Sequence, residues 1–135
     1  MEKLYSPATN LNPEILLSPE DNAFIIKGNS RPENAGAVYE PLIQWLKEYK
    51  NTLTGNDPVY NRDNPFILQL DLEYFNSSSA KFLYDIAVLA GSFTEKNIPV
   101  AIAWTYDPSD PETREAGEDL AELAEAEFVY IKRQD

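Results

Sequence analysis

The sequence predicts an α/β fold: a two-layer sandwich in which three helices cover one face of a mixed sheet of about five strands. Three observations carry that expectation. Element signals follow the order ββαβαβαβ, and strand–helix–strand units favour parallel neighbours joined by right-handed crossovers. The first two helical segments each carry an apolar stripe at three- and four-residue spacing. The clearest strand, "FILQLDLEYF" (66–75), alternates between an apolar side and a more polar one, as a sheet covered on one face requires.

Residues 1–12 are mixed and polar, with Asn10 and Asn12 flanking Leu11, and are expected to be a flexible arm before one domain spanning 13–135. "EILLS" and "AFIIKG" are short strands joined by a turn at "PEDN", where Pro19 presets φ and Asp21 and Asn22 tolerate turn geometry. "GNSRPENAGAVYEPLIQWLKEYK" opens with a helix start signal. Ser30 is placed to cap the N–H of Glu33, Glu33 to reach back, and Pro32 to sit in the first turn. Val38, Leu42, Trp45, Leu46 and Tyr49 then form a stripe, with a kink or restart expected at Pro41, which has no amide proton. "NTLTGNDPVYNRDNP" reads as a loop.

On the central strand Phe66, Leu68, Leu70, Leu72 and Tyr74 are expected on one face, with Ile67, Gln69, Asp71, Glu73 and Phe75 on the other. A second helix is expected from about Ser78 to Lys96, with a stripe of Phe82, Leu83, Ile86, Leu89, Ala90 and Phe93. "PVAIAWTY" is a strand with Val100, Ile102, Trp104 and Tyr106 on one side. A Pro-punctuated loop, an acidic third helix interrupted at Gly117 and a closing strand, "FVYIKR", complete the order.

At 135 residues and 43 % hydrophobic, the chain suffices for one packed core. No apolar run is long enough to cross a membrane as a helix, and the start "MEKLYSPATN" lacks the basic-then-apolar layout of a secretory signal. A cytoplasmic location is expected, in keeping with the absence of cysteine. Histidine is absent too, which excludes serine–histidine and cysteine–histidine catalysis. A net charge of −12 disfavours nucleic acid and anionic membranes and would steer a partner with a basic face.

"NSSS" (76–79), where the central strand hands over to the second helix, offers more hydroxyls than one cap needs. Asn76, Ser77 or Ser78 suits a capping role. A helix start also tolerates an anion, so a phosphoserine fits there, with Lys81 one turn on as a nearby cation. Asp71 and Glu73, two apart on one strand face, are the carboxylate pair that acid–base or metal chemistry would need; two solvated residues on an open sheet are the plainer reading. The acidic run from Glu112 to Glu127 reads as a solvated helix face. "GNSRPEN" lacks the glycines and Gly-Lys-Ser/Thr of a phosphate-cradling loop.

"SRPENA" (30–35), "LEYFNSSSAK" (72–81), "AWTYD" (103–107) and "EAGEDLAEL" (115–123), in this order and spacing, resemble the SiaC family of bacterial regulatory phosphoproteins. The resemblance spans about Pro13 to Ile131, and "YFNSSSAK" is its specific part. The element order also resembles the anti-sigma-factor-antagonist fold. The family resemblance implies a non-enzymatic switch protein, phosphorylated by a dedicated kinase and dephosphorylated by a PP2C-type phosphatase. Its unphosphorylated form would bind and activate an effector, a diguanylate cyclase in the best-understood systems. The family's acceptor directly follows the asparagine and is usually threonine; here it is Ser77, with Ser78 and Ser79 as alternatives. Tyr74, Asn76, Ser78 and Lys81, with Arg31, Glu33 and Asn34 of the polar loop, are the expected switch and partner surface. No cofactor or metal is implied. Two other readings are a constitutive adaptor, in which the serines only cap, and a carboxylate-dependent hydrolase using Asp71 and Glu73.

Overall fold

Strands cross the sheet in the order in which they occur along the chain, in a computed structural model that describes residues 1–55 and 59–134. They are β1 (Leu4–Ser6), β2 (Glu14–Ser18), β3 (Ala23–Ser30), β4 (Phe66–Phe75), β5 (Val100–Tyr106) and β6 (Phe128–Lys132). β1, β2 and β3 pair antiparallel, and β3 through β6 pair parallel. Each parallel connection carries a helix: α1 (Ala35–Thr52), α2 (Ser77–Gly91) and α3 (Pro111–Ala124). Since sheet order follows chain order, right-handed crossovers lay all three helices on one face. The result is the expected two-layer α/β sandwich, with six strands among the described residues rather than about five. The added strand, β1, lies in the stretch read as an arm. Nearby, Trp45 Nε1 of α1 donates to the Glu2 carbonyl at 2.9 Å.

The core lies between the sheet and the helix layer. Phe24, Phe66 and Phe93 are fully buried in series, with ring centroids 4.6 and 4.5 Å apart. The predicted stripe of α2 packs into or against this core, and after Gly91 the chain tightens into a 3-10 turn, Ser92–Lys96. The loop expected at 51–65 starts only after Thr52, and its residues 56–58 lie outside the described ones.

Three local expectations are corrected. α1 runs continuously through Pro41, which excludes the restart, one of the two outcomes expected there. Pro41 and Ala37 are both exposed, so the carbonyl that loses its helical partner sits on the solvent side, open to water. Gly117 does not interrupt α3; a Cβ there would stand 2.5 Å from the Trp104 ring, so this glycine is the close approach of helix to sheet. The face alternation of β4 also slips near its end. Gly28 pairs with Leu72 but Asn29 with Tyr74, which leaves Glu73 as the extra residue of a bulge. Gly28 takes φ +110°, open to glycine at no steric cost. Beyond the bulge Tyr74 is 53 % exposed, whereas Phe75 turns inward, edge-on to Trp104 at 5.8 Å.

Candidate switch site

Two helix starts are tied together where β3 and β4 end. Asn76 caps α2 through its Oδ1, which accepts from Ser79 N at 2.9 Å, and its own N–H donates to the Ser30 carbonyl at 2.9 Å. Asn34 caps α1 in the same way, accepting from Ala37 N at 3.2 Å. Ser30 is therefore not the cap expected of it. β3 keeps pairing with β4 up to Ser30↔Phe75, which turns the Ser30 side chain inward and leaves Asn34 to start the helix.

The three serines then divide by burial. Ser79 is fully buried, and its Oγ donates to the Ser30 carbonyl at 3.2 Å while accepting from Ser30 Oγ at 2.8 Å. Tyr39, from α1, completes the network through a short hydrogen bond to Ser30 Oγ. Burial pushes the Tyr39 phenol above its usual range, against the lowering effect of its bonding to the serines, so it stays protonated and donates. Ser77 and Ser78, by contrast, are exposed. They occupy the first two helical positions, where backbone N–H groups have no partner within the helix and the dipole is positive. This helix start thus presents two accessible hydroxyls, while that of Ser79 is enclosed by the network.

Arg31, Glu33 and Asn34 are exposed on the loop following Ser30, beside the Asn76–Ser78 turn that Ser30 anchors. Tyr74 and Lys81 are exposed at the same corner. The structure thus gathers every residue of the expected switch surface at one end of the sheet. It adds a feature that the sequence does not announce: an apolar groove of about 530 Å³ between α2 and α3. Phe75, Ala80, Tyr84, Ala116, Leu120 and Leu123 line it, with Lys81 and Asp119 as its charged members. Tyr84 and Leu123 are 38 % and 69 % exposed. Their only sequence signal is that they fall outside the buried stripes of their helices.

Asp71 and Glu73 do not form a working pair. Asp71 Oδ1 lies 2.6 Å from Arg133 Nη2 on the uncovered sheet face, and Glu73 is the exposed bulge residue. Among the described residues no group of three or more acidic side chains is placed to hold a metal ion.

The model of the SiaC family of regulatory phosphoproteins matches residues 6–133. An uncharacterized protein of Pseudomonas aeruginosa strain UCBPP-PA14 is 27 % identical over 122 residues, which is 90 % of each chain. A crystal structure of the diguanylate cyclase SiaD in complex with its activator SiaC, from Pseudomonas aeruginosa, contains a chain that matches with a TM-score of 0.77 at 26 % identity, covering 96 % of this chain and 97 % of that one. Apo-SiaC from the same organism matches with a TM-score of 0.76 at 25 % identity, covering 99 % and 100 %.

Proposed function

Because the chain belongs to the SiaC family of regulatory phosphoproteins, we propose that it is a cytoplasmic, phospho-regulated binding module with no catalytic step of its own. A partner kinase phosphorylates Ser77, a PP2C-type phosphatase removes the phosphate, and the unphosphorylated form binds and controls an effector. The observation that carries this reading is the division of the serines: Ser77 stands exposed directly after the capping Asn76, while Ser79 is consumed by the buried network. Serine in place of the family's usual threonine keeps the hydroxyl, and Ser78 is the second accessible acceptor. The related SiaC is the activator of a diguanylate cyclase, and an enzyme of that class is the effector proposed here.

The mechanism is a difference in affinity. Phosphate adds about −1.5 to −2 charges at the helix start. Free amide groups and Lys81 accommodate it there, so the fold tolerates it. The groove beside Ser77 is the effector surface in this reading. Covering that corner strips water from the phosphate, and a desolvated charge without a matched cation costs several kcal/mol. The effector is therefore released when Ser77 is phosphorylated.

Phosphopeptide mass spectrometry on protein purified from its native cells, with and without the phosphatase, tests the switch. Phosphate on Ser77 is expected to accumulate when the phosphatase is absent. Phosphate on Ser78 would move the acceptor by one position. A phosphate-free peptide over residues 76–81 in both strains would overturn the reading in favour of a constitutive adaptor.

A further inference from the structure

The two edges of the sheet are treated differently. β1 is three residues long and is followed at once by Pro7, both devices that discourage strand addition. β6 is five residues long, "FVYIK", and carries no proline or bulge. It pairs with β5 on one side. Arg133 N donates to the Tyr106 carbonyl, so odd-numbered residues of this segment turn their backbone groups toward β5. By strand alternation, Phe128, Tyr130 and Lys132 turn theirs outward, to the free edge. The flanking side chains on the uncovered face are apolar and exposed, Val129 at 52 % and Ile131 at 44 %.

We propose that β6 pairs antiparallel with β6 of a second copy of this chain, about a two-fold axis at Tyr130. The sequence is self-complementary in that register. Tyr130 faces Tyr130, and Phe128 faces Lys132 of the second copy; these are the outward-directed residues, so they form the hydrogen-bonded pairs. Val129 meets Ile131 of the second copy in the closer, non-hydrogen-bonded pair, joining two exposed apolar side chains. One step further, Glu127 meets Arg133 of the second copy, a pair of opposite charges. In the single copy the Arg133 guanidinium reaches inward over the uncovered face to Asp71 of β4, so this pair forms only when the side chain turns from Asp71 to the free edge. This register overlaps all five residues; shifting it by a hydrogen-bonding period shortens the ladder and separates Glu127 from Arg133.

An edge-to-edge contact of this length buries little surface and places the dimer among weak, reversible assemblies. Each copy carries −12, so the two repel at long range, and salt that screens this should strengthen the association. β6 lies two strands from β4, so pairing there leaves the Ser77 corner free, and the inference stands or falls apart from the proposed switch.

Sedimentation velocity over micromolar to near-millimolar concentrations tests it, together with cysteine pairing in a chain that has no cysteine of its own. Wild type is expected to shift from monomer to dimer, more readily at high salt. Glu127→Arg should weaken the dimer about tenfold by setting like charges opposite one another at two symmetric positions. That substitution also removes two negative charges' worth of general repulsion, so a loss isolates the pair contact. Mixing Val129→Cys with Ile131→Cys protein should give a disulfide dimer, since facing Cα atoms stand about 4.5 Å apart. Either variant alone should not, its own copies being offset by two residues and about 8 Å apart. A monomer at every concentration overturns the proposal. So does equal cross-linking of each variant alone, or an unchanged dimer in Glu127→Arg. A monomer whose effector binding is lost in Glu127→Arg would assign the edge to a partner's strand instead.

Discussion

Ser77 and Ser79 are chemically identical and two positions apart, yet one is exposed to solvent and the other is sealed in a buried hydrogen-bond network. Ser79→Ala leaves the buried Ser30 hydroxyl without its acceptor, so a loss of about 1–2 kcal/mol is expected in urea unfolding. Ser77→Ala and Ser78→Ala, at exposed positions, should stay within about 0.5 kcal/mol of wild type. Tyr39 adds a pH dependence. Burial raises its folded-state pKa above the unfolded value of 10.0, so its contribution is complete below pH 10 and is lost as pH rises through the folded pKa. Tyr39→Phe should remove part of the alkaline loss of stability, read as a smaller shift of the urea midpoint between neutral and alkaline pH. Gly117→Ala tests the close approach to Trp104; forcing a methyl into that contact should destabilise by about 1–3 kcal/mol. None of these distinctions is written in the residue types. Three consecutive serines carry the same capping potential, and which one turns inward depends on how β4 delivers the chain to α2. A glycine inside an acidic helix equally signals a break or a tight contact until its neighbour is known.

At the scale of elements, the sequence pattern locates β4, β5 and the apolar stripes of α1 and α2, because burial of one face imposes a period that survives in the residue order. What it misplaces are the ends. The capping box proposed from Ser30 and Glu33 fails because strand pairing claims Ser30 before the helix begins, and Asn34 takes over. The faces of Tyr74 and Phe75 are exchanged because one extra residue, Glu73, enters β4 opposite Gly28, and a one-residue slip reverses every later side chain. That slip matters for the candidate site, since it exposes Tyr74 beside the proposed acceptor Ser77 and tucks Phe75 into the groove floor. The caps can be tested at this scale. Asn76→Ala should cost about 1 kcal/mol by freeing the Ser79 amide, and Asn76→Asp should retain stability, because a carboxylate accepts the same bond and complements the dipole. Ser77→Glu, which adds charge at the same helix start, should leave the urea midpoint nearly unchanged; a large loss would show that the start of α2 cannot accommodate the anion.

Across the whole molecule, the composition sets limits that the fold then uses. The chain has no histidine or cysteine to serve as proton shuttle or thiol nucleophile, and a net charge of −12 would steer a partner with a basic face. The order of its elements was legible and yields the single helix layer. The groove was not, because it depends on how α2 and α3 settle side by side on the sheet, where Gly117 seats α3 against Trp104, rather than on either helix's own pattern. If groove and switch form one effector surface, they must be energetically coupled. Leu123→Asp changes a side chain that is 69 % exposed, so it should leave folding stability within about 0.5 kcal/mol while weakening effector binding tenfold or more. Ser77→Glu should weaken the same binding. Both substitutions act by spoiling one desolvated contact, so the double variant should lose less affinity than the two single losses combined. Binding titrations of all four proteins measure that interaction energy, and a value of about 0.5 kcal/mol or more marks a shared surface. Strict additivity would instead separate the groove from the switch and send the effector elsewhere on the protein.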